Sequence, residues 1–103
     1  MIIVRSANAV PIRLTEERWA HIVSRHPEMK GQKEKLLETL ADADIVLEGD
    51  FGALLAVKHY ESTPVTEKHM IAVYKEIDEA DGYVLTAYFS RDVPVWRKET
   101  WKK

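Results

Sequence analysis

Hydrophobic and polar residues in the first forty positions follow a helical period after a short apolar start. The run Ile2–Val4 predicts an N-terminal strand. Thr15 is a typical helix N-cap, and the apolar spacing after it predicts a first helix from about Glu16 to Arg25. Pro27 cannot continue that helix. The spacing of the leucines within 33–41 predicts a second helix of two to three turns.

From position 45 onward, alternating apolar residues separated by glycine-containing turns replace the helical period. The pattern predicts four successive antiparallel strands at 45–47, 53–60, 68–76 and 83–90. The tail, residues 91–103, fits either a short strand or a loose helix. The expected fold class is therefore α+β, with two N-terminal helices packed on a four-stranded antiparallel sheet. A short N-terminal strand is an optional addition.

Alternation along the last two strands sorts their side chains onto two faces of the sheet. One face is expected to pack against the helices, and it carries Ile71, Val73, Leu85, Ala87 and Phe89. The other face is expected to be partly exposed, and it carries Met70, Ala72, Tyr74, Val84, Thr86, Tyr88 and Ser90, with Lys58 and Tyr60 joining from the preceding strand. This second face combines hydroxyls, phenols and a cation.

Composition limits the classes of protein to which the chain can belong. Its 103 residues, 46% hydrophobic and 31% charged, predict one globular domain over 1–103. The net charge of -2 disfavours nucleic-acid binding through bulk charge, so any RNA contact needs a local basic patch. Without cysteine there is no disulfide, thiolate nucleophile or cysteine-bound zinc. With no apolar run of about 20 residues and no secretion signal, we expect a cytoplasmic protein and no membrane contact.

Two histidines and an arginine cluster at the end of the first predicted helix. His21 and His26 can exchange protons near neutral pH, and Arg25 offers a fixed cation for an anionic transition state. These groups suit cleavage of an RNA phosphodiester by its neighbouring 2′-hydroxyl. The alternative is structural, because His26 could cap the helix carbonyls and His21 could pair with Glu17. Spacing alone does not decide between these interpretations.

Other combinations of residues carry weaker signals. His59 and His69 lie on neighbouring predicted strands and suggest a metal site, but exposed strand histidines are commoner than ligands and no carboxylate has suitable spacing. We therefore predict no metal and no cofactor. The sequence has no glycine-rich phosphate loop, HExxH motif or GxSxG motif, which disfavours an NTPase, a zinc protease and an α/β-hydrolase.

The order of four segments is similar to a known nuclease family. Segments 21–29, 43–49, 73–76 and 81–89 read HIVSRHPEM, ADIVLEG, VYKE and DGYVLTAYF. Over about residues 14–90 this order resembles phage and prokaryotic nuclease-like domains of the superfold that unites barnase, EndoU, the RNase colicins and RelE. The resemblance implies a helical N-terminal part on a four-stranded antiparallel sheet.

The same resemblance implies a metal-independent ribonuclease, since active members of this superfold are such enzymes and many are toxins that act on tRNA or ribosome-bound mRNA. The implied catalytic residues are His21, Arg25, His26 and Thr86. Tyr74 and Tyr88 are implied to bind substrate, and Lys58 is added from its predicted place on the same sheet face. The acidic balance departs from the strongly basic toxins that act on the ribosome.

The leading hypothesis is thus a small endoribonuclease, whose expected partners are tRNA or mRNA and an antitoxin or immunity protein. A second hypothesis is a non-catalytic interaction module of the same fold. In that case the histidines only cap and pack, and a sheet face with Tyr74, Tyr88 and Trp96 binds a partner protein or a second copy of the chain as a homodimer.

Overall fold

Seven strands, two helices and one 3-10 turn make up the fold, and the computed structural model describes all residues 1–103. In chain order they are β1 (Ile2–Arg5), β2 (Pro11–Leu14), α1 (Glu16–Arg25), the 3-10 turn Pro27–Met29, α2 (Lys33–Ala41), β3 (Ile45–Glu48), β4 (Leu54–His59), β5 (His69–Asp78), β6 (Asp81–Ser90) and β7 (Glu99–Lys102). Neither helix is long and apolar enough to cross a membrane.

The strands form one mixed sheet in the order β1-β2-β6-β5-β4-β3-β7. Strands β3 to β6 form the predicted antiparallel meander. Strand β2 runs parallel to β6 and pairs with it through Ile12 with Gly82 and Arg13 with Tyr83. Strand β1 pairs with β2 at one edge of the sheet, and β7 pairs with β3 at the other.

The predicted fold class, a four-stranded antiparallel sheet under two N-terminal helices, is therefore wrong. The sheet has seven strands, is mixed, and begins with two strands that precede the helices. The sequence pattern missed β2 and left β7 open between a short strand and a loose helix, and each of these strands has only four residues. Strands that short show little alternation of their own, and pairing with distant partners stabilises them instead.

Both helices have the predicted bounds, and local signals fix the two ends of α1. The backbone N–H of Arg18 donates to the Thr15 hydroxyl at 3.1 Å, which caps α1. At the other end His26 leaves the helical conformation directly before Pro27.

The main core lies between the helices and one face of the sheet. From β5 it takes Met70, Ala72 and Tyr74, which are completely buried. Ile71 and Val73 lie on the opposite face, where Ile71 packs in a second, smaller cluster with Leu47, Leu55 and Val57 and Val73 packs against that cluster.

The predicted assignment of the two faces is therefore reversed for β5. Both sides of this strand are apolar, so alternation cannot show which side meets the helices. In β6 the prediction is correct for Ala87 and Phe89. It is wrong for Val84, which belongs to the main core, and for Leu85, which lines a cavity with Val73 on the opposite face. A register shift between the pairs Val73–Thr86 and Tyr74–Val84 causes this change of side.

The turn between β3 and β4 contains a non-glycine residue in the left-handed region. Phe51 and Gly52 have φ of 54° and 80°, and the N–H of Ala53 donates to the Asp50 carbonyl at 3.0 Å. This is the geometry of a type I′ turn, which favours Asn-Gly. Phe51 is 95% exposed, so packing does not offset its backbone cost.

Replacing Phe51 by Asn should therefore stabilise the protein by about 0.5–1 kcal/mol, because asparagine tolerates the left-handed region better than other side chains. Urea denaturation of the two proteins measures this difference. Phe51→Ala is the matched control, since it removes the exposed ring but keeps the backbone cost. An equal gain from both variants would contradict the explanation.

Candidate functional site

Helix α1 lies beside an edge of β6 that no strand covers. The pairing of β2 with β6 stops at Tyr83, so the rest of that β6 edge is unpaired. There the Arg18 guanidinium donates to the Leu85 carbonyl at 3.3 Å. Unpaired strand edges readily pair with other chains unless something blocks them. The helix covers this edge and brings its C-terminal end next to the second half of β6.

An open cleft of about 380 Å³ lies between α1 and β6. It is lined by His21, Arg25, His26 and Thr86, with no apolar side chain among them. His21 and Arg25 are one helical turn apart, and therefore lie on the same face of α1. The four residues predicted to be catalytic thus share one cleft.

The imidazole of His26 lies between an aromatic ring and a carboxylate. Its centroid is 5.6 Å from that of Tyr88, with a tilt of 32°. Its Nδ1 is 3.7 Å from Glu28 Oε1, too long for a hydrogen bond but within ion-pair distance. A carboxylate on this side of the ring attracts the imidazole when it is protonated, and Nε2 lies on the other side of the ring.

The structural alternatives for the two histidines find little support in these contacts. The N–H group that caps α1 is the backbone N–H of His26, which donates to the Ile22 carbonyl at 2.8 Å, and its imidazole makes no such bond. Among the four histidines only His26 and His59 lie within ion-pair distance of a carboxylate, so His21 is not paired with Glu17. The exposed imidazole of His21 is therefore free to meet a ligand.

Thr86 and Tyr88 are two residues apart on β6 and lie on the same face of the sheet. Neither hydroxyl has a hydrogen-bond partner within the protein, although both side chains are half-buried. Burial raises the pKa of the Tyr88 phenol, an effect that Arg97 partly opposes. The phenol therefore stays protonated at neutral pH and can donate a hydrogen bond.

The cleft does not include Lys58, one of the three predicted substrate-binding residues. Its ammonium group donates to the carbonyl and carboxylate of Asp42 at 3.0 and 3.1 Å, and lies 3.9 Å from Asp44. Only 15% of its side chain is exposed. Lys58 pairs in register with Met70, which places it on the helix-packed face at the end of α2.

Tyr74, also predicted to bind substrate, is completely buried in the main core. Its hydroxyl has no hydrogen-bond partner. Burial, together with the nearby Glu76, raises the pKa of this phenol well above its ordinary range. The prediction that Tyr74 lies on an exposed sheet face was wrong, because in β5 its side chain points towards the helices.

Replacing Tyr74 by Phe should stabilise the protein by about 1 kcal/mol, because it removes a buried hydroxyl that has no partner. Tyr60→Phe is the matched control and should lower stability, since the Tyr60 hydroxyl has two acceptors for its proton, Glu38 at 2.7 Å and the Lys35 carbonyl at 3.1 Å. Urea denaturation measures both changes. A loss of stability in Tyr74→Phe would show that its hydroxyl is satisfied.

The raised pKa of Tyr74 also predicts how stability depends on pH. Above about pH 10 the phenol ionises in the unfolded chain but stays protonated in the fold, so the unfolded state binds fewer protons. The contribution of Tyr74 to the free energy of unfolding is therefore fully present below that pH and falls as the pH rises. Tyr74→Phe should make this fall shallower in denaturation curves measured between neutral and strongly alkaline pH.

Two residues near the cleft escaped sequence-based prediction. Glu28 lies beside His26. Its position two residues after His26 in the sequence could have indicated this contact. Arg18 fixes α1 to β6 through the Leu85 carbonyl, a partner 67 residues away that no local pattern could indicate.

His59 and His69 do approach each other, as their adjacent strands predicted. They form a cross-strand pair with ring centroids 5.2 Å apart. No group of three or more His, Cys, Asp or Glu residues is arranged to hold a metal ion. The pair is an edge-to-face ring contact at one end of the sheet.

Comparisons with family models, curated proteins and solved structures found no match to this chain.

Proposed function

We propose that the protein is a small metal-independent endoribonuclease. The observation that carries the proposal is the cleft, where two imidazoles, a guanidinium and a hydroxyl line one open cavity. Those groups can supply the two proton transfers and the charge stabilisation that RNA cleavage by internal transfer requires.

In the proposed reaction one imidazole removes the proton of a ribose 2′-hydroxyl, whose oxygen then attacks the adjacent phosphorus. Arg25, with a hydrogen bond from Thr86, stabilises the negative charge that develops on the phosphoryl oxygens. The bond from phosphorus to the 5′-oxygen breaks, and the other imidazole gives that oxygen a proton. The products are a 2′,3′-cyclic phosphate and a free 5′-hydroxyl. His21 and His26 share the two proton transfers.

Each remaining residue near the cleft has a supporting role in this proposal. The Tyr88 phenol donates a hydrogen bond to the substrate beside His26, and Glu28 keeps the His26 ring oriented. The substrate is single-stranded RNA such as a tRNA loop or an mRNA in the cytoplasm. An antitoxin-like inhibitor would act by covering the open cleft.

The test is incubation of end-labelled tRNA and single-stranded RNA with the purified protein in excess EDTA. The proposal expects cleavage that leaves 2′,3′-cyclic phosphate ends. An RNA with a single 2′-deoxy substitution at the cleaved position is the matched control, and it should resist because it lacks the nucleophile. Cleavage only after a metal is added, or intact RNA in every case, would overturn the proposal.

A further inference from the structure

A second cavity, of about 370 Å³, lies on the face of the sheet that the helices do not cover. Its apolar walls include Leu55, Val73 and Leu85, and its aromatic walls are Tyr88 and Trp96. Asp50 and Arg97 are its charged residues. We refer to it as the aromatic cavity. It is separate from the polar cleft but next to it along β6.

Trp96 is an unusual residue for an exposed position. Its side chain is 77% exposed, although indole rings generally bury most of their large apolar surface. The Arg97 guanidinium stacks 4.3 Å from the centre of this ring and also bonds both carboxylate oxygens of Asp50 at 3.1 and 3.3 Å. The exposed indole is thus held by neighbours that are themselves fixed to the turn between β3 and β4.

The aromatic cavity and the polar cleft share one segment of β6. Leu85 and Tyr88 line the cavity, while Thr86 lines the cleft. The ring of Tyr88 is also the one that lies 5.6 Å from His26. A ligand that crosses Tyr88 would therefore contact both surfaces.

We propose that the aromatic cavity binds a nucleobase of the RNA whose phosphate lies in the polar cleft. This inference rests on the proposed ribonuclease function and adds a base-binding subsite to it. Aromatic rings bind unpaired bases by stacking, which suits Trp96 and Tyr88. A base also carries donors and acceptors on its edge. Asp50 and Arg97 are paired with each other, but the carboxylate keeps free lone pairs and the guanidinium keeps free N–H groups that can meet them.

The charge distribution favours a base over a protein segment as the occupant. The cavity lies next to a cleft whose lining includes a guanidinium and two imidazoles but no carboxylate, which suits a phosphate. An apolar protein partner would gain nothing from that neighbouring cleft. A nucleotide uses both surfaces at once.

The experiment is an NMR titration of the full chain with each of the four nucleoside 3′-monophosphates, and separately with ribose 5-phosphate and inorganic phosphate. We expect nucleotides to shift the Trp96 indole N–H and the resonances of His21 and His26. Ribose 5-phosphate and inorganic phosphate should shift only the histidines. Trp96→Phe assigns the indole signal among the three tryptophans.

The Trp96→Ala variant should weaken nucleotide binding by about 5- to 150-fold, the range for loss of one base stack, and should leave phosphate binding unchanged. Val95→Ala is the matched control, because Val95 is the adjacent residue and is equally exposed at 77%, but does not line the cavity. It should bind nucleotides and phosphate like the native chain.

The possible results separate this inference from the proposed function. If nucleotides shift the histidines but not Trp96, the base subsite is overturned and the ribonuclease proposal stands. If they shift Trp96 alone, the cavity is supported and the proposed cleft chemistry is contradicted. Absence of any shift would overturn both. Self-association that Trp96→Ala abolishes, while nucleotides leave the Trp96 signal unchanged, would overturn the base subsite and assign the cavity to a second copy of the chain.

Discussion

The His26→Ala variant should cleave RNA at least a hundredfold more slowly than the native chain. Loss of one positioned proton-transfer group costs about 10²–10⁴ in rate. His26 is the histidine whose ring contacts Tyr88 and whose Nδ1 faces Glu28, so its position in the cleft is fixed from two sides. Initial rates on an end-labelled RNA in excess EDTA measure the loss.

His59→Ala is the matched control for that variant. His59, like His26, has its Nδ1 3.7 Å from a glutamate, but it lies at the end of β4 against His69 and outside the cleft. It should cleave at the native rate. Equal losses in both variants would point to a folding effect, and an unchanged rate in His26→Ala would remove His26 from the mechanism.

Replacing Gly82 by Ala should destabilise the fold by about 2–3 kcal/mol, the upper part of the range for overpacking. A Cβ at this position would lie 2.5 Å from Ile12 Cδ1 and 2.5 Å from the Lys75 carbonyl oxygen. The carbonyl belongs to the backbone of β5 and cannot move away cheaply. Gly82 thus lies where β2, β6 and β5 meet, and only glycine lets these strands approach so closely.

Gly31→Ala is the comparison for this substitution. Gly31 has a φ of 78° and open space around its Cα, so alanine there should cost about 1 kcal/mol through the backbone alone. Urea denaturation midpoints of the two variants separate the steric cost from the conformational one. A Gly82→Ala protein as stable as the Gly31→Ala protein would show that β2 and β6 can separate to make room.

The helices and the polar side of the cleft could be predicted from the sequence because their signals are local. Thr15 and Pro27 fix the ends of α1, and His21, Arg25 and His26 follow from the helical period between them. The place of Thr86 in the site was harder to predict. It came from the resemblance to a nuclease family and not from any pattern near α1.

The faces of the sheet could not be predicted because β5 is apolar on both sides. Alternation placed Tyr74 and Lys58 on an exposed face, whereas one lies in the core and the other is held by Asp42. Only the register of β5 against its neighbours and the position of α2 determine which face of the strand meets the helices. Strand β2 was missed, and β7 was left open between strand and helix, for a related reason: pairing partners far along the chain determine both strands.

The parallel pairing of β2 with β6 also has a consequence for how the protein folds. It joins Arg13 to Tyr83, and the Arg13 side chain further bonds the Asp81 carboxylate at 2.8 and 2.9 Å. Contacts across nearly seventy residues form late, because closing such a loop loses much chain entropy before any contact compensates for it. The α1 half of the cleft can therefore form early, whereas the cleft itself exists only once β6 has docked. RNA binding at this site should thus require that β6 has already docked.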